Sequence, residues 1–179
     1  MDTANIERYL NSFGKQVVNR AKGNLQRAGK GGKLEDSIKF EVITDADGFT
    51  VQFYMSSYGA FVDKGVSGTQ KKRTFKNYKN KVIKSPYSYK KSKGHSQPPS
   101  SALDKWVIKK GIAPRDASGR FMKRKTITFL IARSIGRKGI QGISFFQKPL
   151  MLGLKQFGSE LLGNVKQDII DTLNQTTVN

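Results

Sequence analysis

The sequence predicts an α+β fold: a small antiparallel sheet packed by N- and C-terminal amphipathic helices, with a long basic loop and two short helices inserted. Three observations carry this expectation. Apolar residues recur at helical spacing near both ends, they alternate at strand spacing in two short runs, and residues 66–100 show neither period. With 179 residues, the chain is long enough for a single domain with a modest core. Its apolar fraction of 36% is low for a globular chain, which suits a folded core carrying the polar insertion 66–100.

Residues 5–28 place Ile6, Leu10, Phe13, Val17, Ala21 and Leu25 on one helical face. Asp2 or Thr3 can cap the start and Gly29 can end it. Each large side chain on that face contributes roughly 1.5–3 kcal/mol if another element covers it. Gly29-Lys30-Gly31-Gly32-Lys33 lacks both the spacing and the strand–loop–helix order of a phosphate-binding loop, so it reads as a flexible connector. Ile38, Phe40 and Val42 alternate with polar residues over 37–43, and Phe49, Val51, Phe53 and Met55 over 49–55, which predicts a hairpin. Thr44 to Gly48 supply the turn. Asp45 and Asp47 belong to that turn, because an EF-hand would require a glutamate that is missing here.

Ser101-Ala102-Leu103-Asp104 resembles a capping box opening a short helix whose face is Leu103, Trp106 and Val107. A second helix is predicted over 126–138, with Ile127, Leu130, Ile131 and Ile135 together. Both end in Lys-Gly-Ile, the pattern of a Schellman stop. Residues 113–120 read as a polar turn and 143–147 as a last short strand. Pro149 suits the first turn of a helix running to about 174, with Leu150, Leu154, Phe157, Leu161, Val165, Ile169 and Leu173 on one face.

The formal charge is +20, which attracts anions: DNA, RNA, an anionic membrane or acidic neighbours in an assembly. The chain has no cysteine, which excludes disulfides and thiolate metal sites. Its one histidine, His95, lies in the basic loop with no carboxylate partner nearby in sequence. The acid pairs Glu35/Asp36, Asp45/Asp47 and Asp168/Asp171 are scattered, so nothing gathers carboxylates for metal-assisted chemistry. No cofactor and no enzymatic activity are expected. The start of the chain shows no signal segment, and no apolar run is long enough to span a bilayer, so a product made soluble in the cytoplasm of the producing cell, without a membrane partner, is expected.

No acid occurs between Lys64 and Leu103. Lys71, Lys72, Arg73, Lys76, Lys79, Lys81, Lys84, Lys90, Lys91 and Lys93 are interleaved there with Phe75, Tyr78, Tyr87 and Tyr89. Such lysines neutralise phosphates and such aromatics stack on unpaired bases, but the same loop can order against acidic protein surfaces. Lysine outnumbers arginine, favouring diffuse charge attraction over base readout. Few apolar groups are present to offset roughly 1–2 kcal/mol per residue of backbone entropy, so the loop is expected to be mobile until a partner orders it.

Three motifs, in order, resemble a known family. They are Gly32-Lys33-Leu34-Glu35-Asp36-Ser37-Ile38, Tyr58-Gly59-Ala60-Phe61-Val62-Asp63-Lys64-Gly65, and Phe145-Phe146-Gln147-Lys148-Pro149-Leu150. With the opening helix they resemble the bacteriophage tail-completion or head–tail connector (neck) proteins of the lambdoid tail-component type. The chain departs from that pattern at Lys64, at Val66 and in its unusually basic insertion. The resemblance implies a virion protein that forms a sixfold or twelvefold ring with itself below the portal. Its other partners would be the portal or an adaptor, tail or other ring proteins, and packaged DNA. It also implies that Tyr58, Phe61, Val62, Asp63 and Gly65 lie at or support a subunit interface. The alternative is a basic nucleic-acid-binding protein acting outside the virion.

Overall fold

A computed structural model describes residues 3–45, 48–91 and 96–177. In chain order the elements are α1 (Ala4–Arg27), α2 (Lys33–Asp36), β1 (Lys39–Asp45), β2 (Gly48–Tyr54), α3 (Gly59–Lys64), β3 (Thr74–Lys76), β4 (Val82–Lys84), α4 (Asp104–Lys109), α5 (Arg124–Lys138) and α6 (Gln147–Thr177). The fold is α+β. It forms two compact units: Met1–Asp63 with Lys76–Val82 and Ser144–Asn179, and Lys64–Phe75 with Ile83–Ile143. The insertion expected at 66–100 is thus part of a longer inserted segment.

In the first unit, the predicted stripe of α1 is buried, joined by Val18. Gly29 (φ +64) ends the helix in a Schellman turn: its N–H reaches Gln26 O and that of Lys30 reaches Leu25 O, both at 2.9 Å. At the other end, the Thr3 hydroxyl goes to Glu7 Oε1 (3.3 Å) and caps no backbone group. Asp2 lies outside the described residues. The connector 29–33 leads into the single turn α2, which buries Leu34.

The hairpin pairs antiparallel from Lys39↔Tyr54 to Asp45↔Gly48, so the strands run further into the predicted turn than expected. Residues 46 and 47 lie outside the described residues. Phe40, Val42, Val51 and Phe53 share the face that receives α1, and Lys39, Glu41, Gln52 and Tyr54 face away, exposed. Gly14 of α1 permits the closest approach: a Cβ there would stand 2.2 Å from the Phe40 ring.

The strand expected at 143–147 is absent. Ser144 turns to φ +50 and donates its N–H to Asp63 O (3.0 Å). The Asp63 carboxylate accepts the N–H groups of Phe146 (2.8 Å) and Gln147 (3.4 Å), so a helix starts where alternation suggested a strand. The apolar face expected on α6 is only partly covered: Leu154, Ile169 and Leu173 are exposed, whereas Pro149 and Asp168 are fully buried.

In the second unit, Val66 and Ile140 exchange two backbone hydrogen bonds, and the N–H groups of Thr69, Gln70 and Lys71 take the carbonyls of Gly136 and Arg137 at the end of α5. That pairing explains a second departure. Gly139 has positive φ as predicted, but the Ile140 N–H goes to Val66 O and forms no Schellman bond. At α4 the predicted stop is present: Gly111 has φ +62 and the Ile112 N–H reaches Val107 O (3.1 Å). The expected capping box there makes no side-chain bond, and Trp106 is exposed while Val107 is buried. On α5 the buried face is Ile127, Thr128, Ala132 and Gly136, and Leu130 is exposed. The small residues face inward because backbone comes close: a Cβ on Gly136 would meet Ser96 O at 2.3 Å.

The basic stretch is not an irregular loop. β3 and β4 pair as a second hairpin, closed by Asn77, whose side chain accepts the N–H groups of Lys79 and Lys81. Phe75 is buried, and residues 89–91 make a helical turn. Local polar bonds and one aromatic anchor supply what regular apolar spacing does not.

Candidate functional site

Three surfaces collect the residues with functional potential. The first is the motif around α3, which divides into two roles. Gly59 and Asp63 are buried, and Asp63 holds the start of α6. Gly65 is buried at φ +75, where a Cβ would meet Gly142 N at 2.5 Å and Ile140 O at 2.6 Å. Tyr58 and Phe61, by contrast, are 44% and 43% exposed, and Val62 is half-buried. The motif's small and acidic positions build the fold, and its aromatic positions Tyr58 and Phe61 are partly exposed.

The second surface is an open apolar hollow of about 410 Å³ in the first unit, lined by α1, β2 and α6 residues that include Leu10, Phe13, Val51, Phe53, Leu154 and Leu161. Phe13 meets Phe157 edge-on at 4.8 Å, and Phe53 meets Phe146 at 5.3 Å, which fixes the walls. Along the rest of α6, Leu162 is 70% exposed and Leu173 59%. Nearby, burial first, then the charge and hydrogen bond of Glu160, push Tyr9 up to about 12, so it stays a neutral phenol at physiological pH.

The third is a small hollow of about 180 Å³ in the second unit, lined by Lys72, Lys84 and Lys90 together with Ser67, Thr69 and Ser88 among others, with aliphatic atoms forming much of its wall. Of the expected basic residues it gathers only those three. Arg73 is tied to Lys138 O (2.9 Å) and Gln141 Oε1 (3.0 Å), a structural role. Lys71 is exposed beside the hollow's wall residues in sequence. Lys76, Lys79 and Lys81 lie on the hairpin and its tip, with Lys79 over the Tyr78 ring at 5.7 Å. Lys91 belongs to the helical turn after β4, and Lys93 and His95 lie outside the described residues. The hydroxyls of Thr69 and Ser88 were not singled out in the sequence. The signal that could have found them is the small polar run Ser67-Gly68-Thr69 just before the Lys71-Lys72 pair.

Charge is divided unevenly. The second unit holds nineteen of the 33 basic residues and two of the 13 acids, Asp104 and Asp116; nineteen less two gives +17 of the total +20. Among the described residues, no three His, Asp or Glu side chains come together as a metal site, and no helix is long and apolar enough to cross a membrane. No protein-family model, curated protein or solved structure matches the chain.

Proposed function

We propose that the chain is a structural virion protein of a tailed bacteriophage: a ring-forming head–tail connector or tail-completion subunit that bridges portal and tail. On this reading it does no covalent chemistry, and its partners are further copies of itself, the portal or an adaptor, tail or other ring proteins, and packaged DNA. The observation that carries the reading is the open apolar hollow of the first unit. Its sheet has two strands among the described residues, and such a sheet is marginal without further cover. With exposed Leu154 at its wall and Leu162, Ile169 and Leu173 exposed further along α6, the hollow is part of an apolar surface that a partner can cover. A neighbouring copy docked head to tail would cover it, and such a contact repeated around an axis closes a ring. Exposed Tyr58 and Phe61 add aromatic surface of the type enriched at interfaces.

The alternative reading, a nucleic-acid-binding protein acting outside the virion, is favoured by the +17 of the second unit. Light scattering on the purified chain, alone and mixed with the portal complex of the same virus, separates the two. A closed ring, formed freely or on the portal, is expected. A monomer or dimer that never joins the portal would overturn the connector reading. Leu154→Glu, at a 38% exposed wall of the hollow, should leave the helical circular dichroism intact and prevent the ring.

A further inference from the structure

The small hollow of the second unit brings three lysines and several hydroxyl-bearing residues to one place. Its two walls are held together by backbone: Ser67 N–H donates to Tyr87 O (2.8 Å) and Tyr89 N–H to Ser67 O (3.0 Å). Ser85 Oγ donates to Gly65 O (2.6 Å) and is spent on the frame. Ser88 Oγ accepts the Lys90 N–H (3.1 Å), which leaves its hydroxyl hydrogen for a ligand. Thr69, Lys72, Lys84 and Lys90 also line the hollow, and the lysine stems let their ammonium groups reach an anion seated there. Neither acid of the unit lines it. Asp116 is turned into its own loop, accepting the N–H groups of Ser118 and Arg120 at 2.9 Å, and Asp104 stands in the first turn of α4. A single water needs roughly 10–15 Å³ of such space, so a hollow of about 180 Å³ admits a tetrahedral oxyanion with part of its hydration.

We infer that this hollow seats a backbone phosphate of a nucleic acid, and that the second unit is a nucleic-acid-binding module. Two features select nucleic acid over an acidic protein. Protein–protein interfaces are depleted in lysine, whereas protein–nucleic acid interfaces are strongly positive. And the charge spreads over the whole unit, matching a polyanion of even charge density. Three lysines and no arginine at the seat give point charges without the planar fork that reads bases, so binding is independent of sequence. The inference goes beyond the connector reading and does not need it, since a monomer can carry such a site as well as a ring.

Fluorescence anisotropy of the full chain with a labelled DNA duplex of arbitrary sequence, over a potassium chloride series, tests it. The triple substitution Lys72→Gln, Lys84→Gln, Lys90→Gln is compared with Lys105→Gln, Lys109→Gln, Lys110→Gln, which removes equal charge from exposed positions at α4. The first triple should weaken binding about tenfold more than the second, and lower the slope of log affinity against log salt by about 0.9 for each phosphate that is no longer neutralised. Thr69→Val with Ser88→Ala should weaken binding and leave the slope unchanged. Unchanged melting temperatures certify the fold of each variant. Absence of DNA binding at low salt overturns the proposal. So does equal loss from the two triples, which would mean charge without a seat. Competition by polyglutamate at the same charge concentration, as effective as by unlabelled DNA, would assign the surface to an acidic protein instead.

Discussion

The Asp168 carboxylate completes a helix that begins at the other end of the chain. It accepts the N–H groups of Asn5 (3.1 Å) and Ile6 (3.0 Å) and the Asn5 side-chain amide (2.7 Å), supplying the N-terminal cap of α1 that Thr3 does not. Burial pushes this carboxyl up. The hydrogen bonds from Ile6 and Asn5, with the Arg8 charge, pull it further down, to a net position below its ordinary 3.8. A depressed folded value means stability that is fully present above 3.8 and lost as pH falls through the depressed value. Melting curves from neutral pH down to about pH 2 should therefore show an acid-side fall that is shallower in Asp168→Asn, which also melts lower at neutral pH. Gly14 gives a second prediction in which two effects oppose each other. Gly14→Ala gains about 1 kcal/mol of helix propensity, but its Cβ enters the Phe40 ring, and overpacking costs about 1–3 kcal/mol. Net destabilisation is expected in urea titration; a more stable variant would show that the hairpin slides away at no cost.

At the level of elements, Asp63→Ala should cost about 1–3 kcal/mol, because it strands the buried N–H of Phe146 at the start of α6. Phe61→Ala, two residues earlier on the outer side of α3, should cost less in folding and show its effect in assembly. Chemical denaturation paired with sizing of the assembly separates the two. The same pair shows what could be read in advance. α1, its glycine stop and the two strands of the first hairpin follow from local periodicity and a glycine at the right place, and all three were legible; the register, which runs on to Asp45↔Gly48, was not. At the start of α6, Pro149 in the first turn was legible but the cap was not, because it comes from residue 63. The inward face of α5 was missed for a related reason: Ala132 and Gly136 are chosen by close backbone, which leaves no hydrophobic signal. In the candidate site the lysines were visible as charge. Which three of them share a hollow depends on the pairing of Ser67 with Ser88, a long-range bridge with no period to announce it.

For the whole molecule, the division of charge makes stability depend on salt. With +17 on the second unit, self-repulsion acts over a Debye length of about 30 Å at 0.01 M and about 3 Å at 1 M. The melting temperature should rise as potassium chloride increases across that range, and a flat or falling curve in differential scanning fluorimetry would mean that repulsion is negligible. The pairing of Asp168 with α1 also has a consequence for biosynthesis. Ile6 and Asp168 are 162 positions apart, so at about 5–20 residues per second a ribosome delivers the cap roughly ten to thirty seconds after the helix it completes. Every residue of the lysine-rich unit emerges during that interval, and that unit can fold first while the apolar stripe of α1 waits for α6. A nonsense codon anywhere before position 168 would therefore be felt in a helix translated long before it.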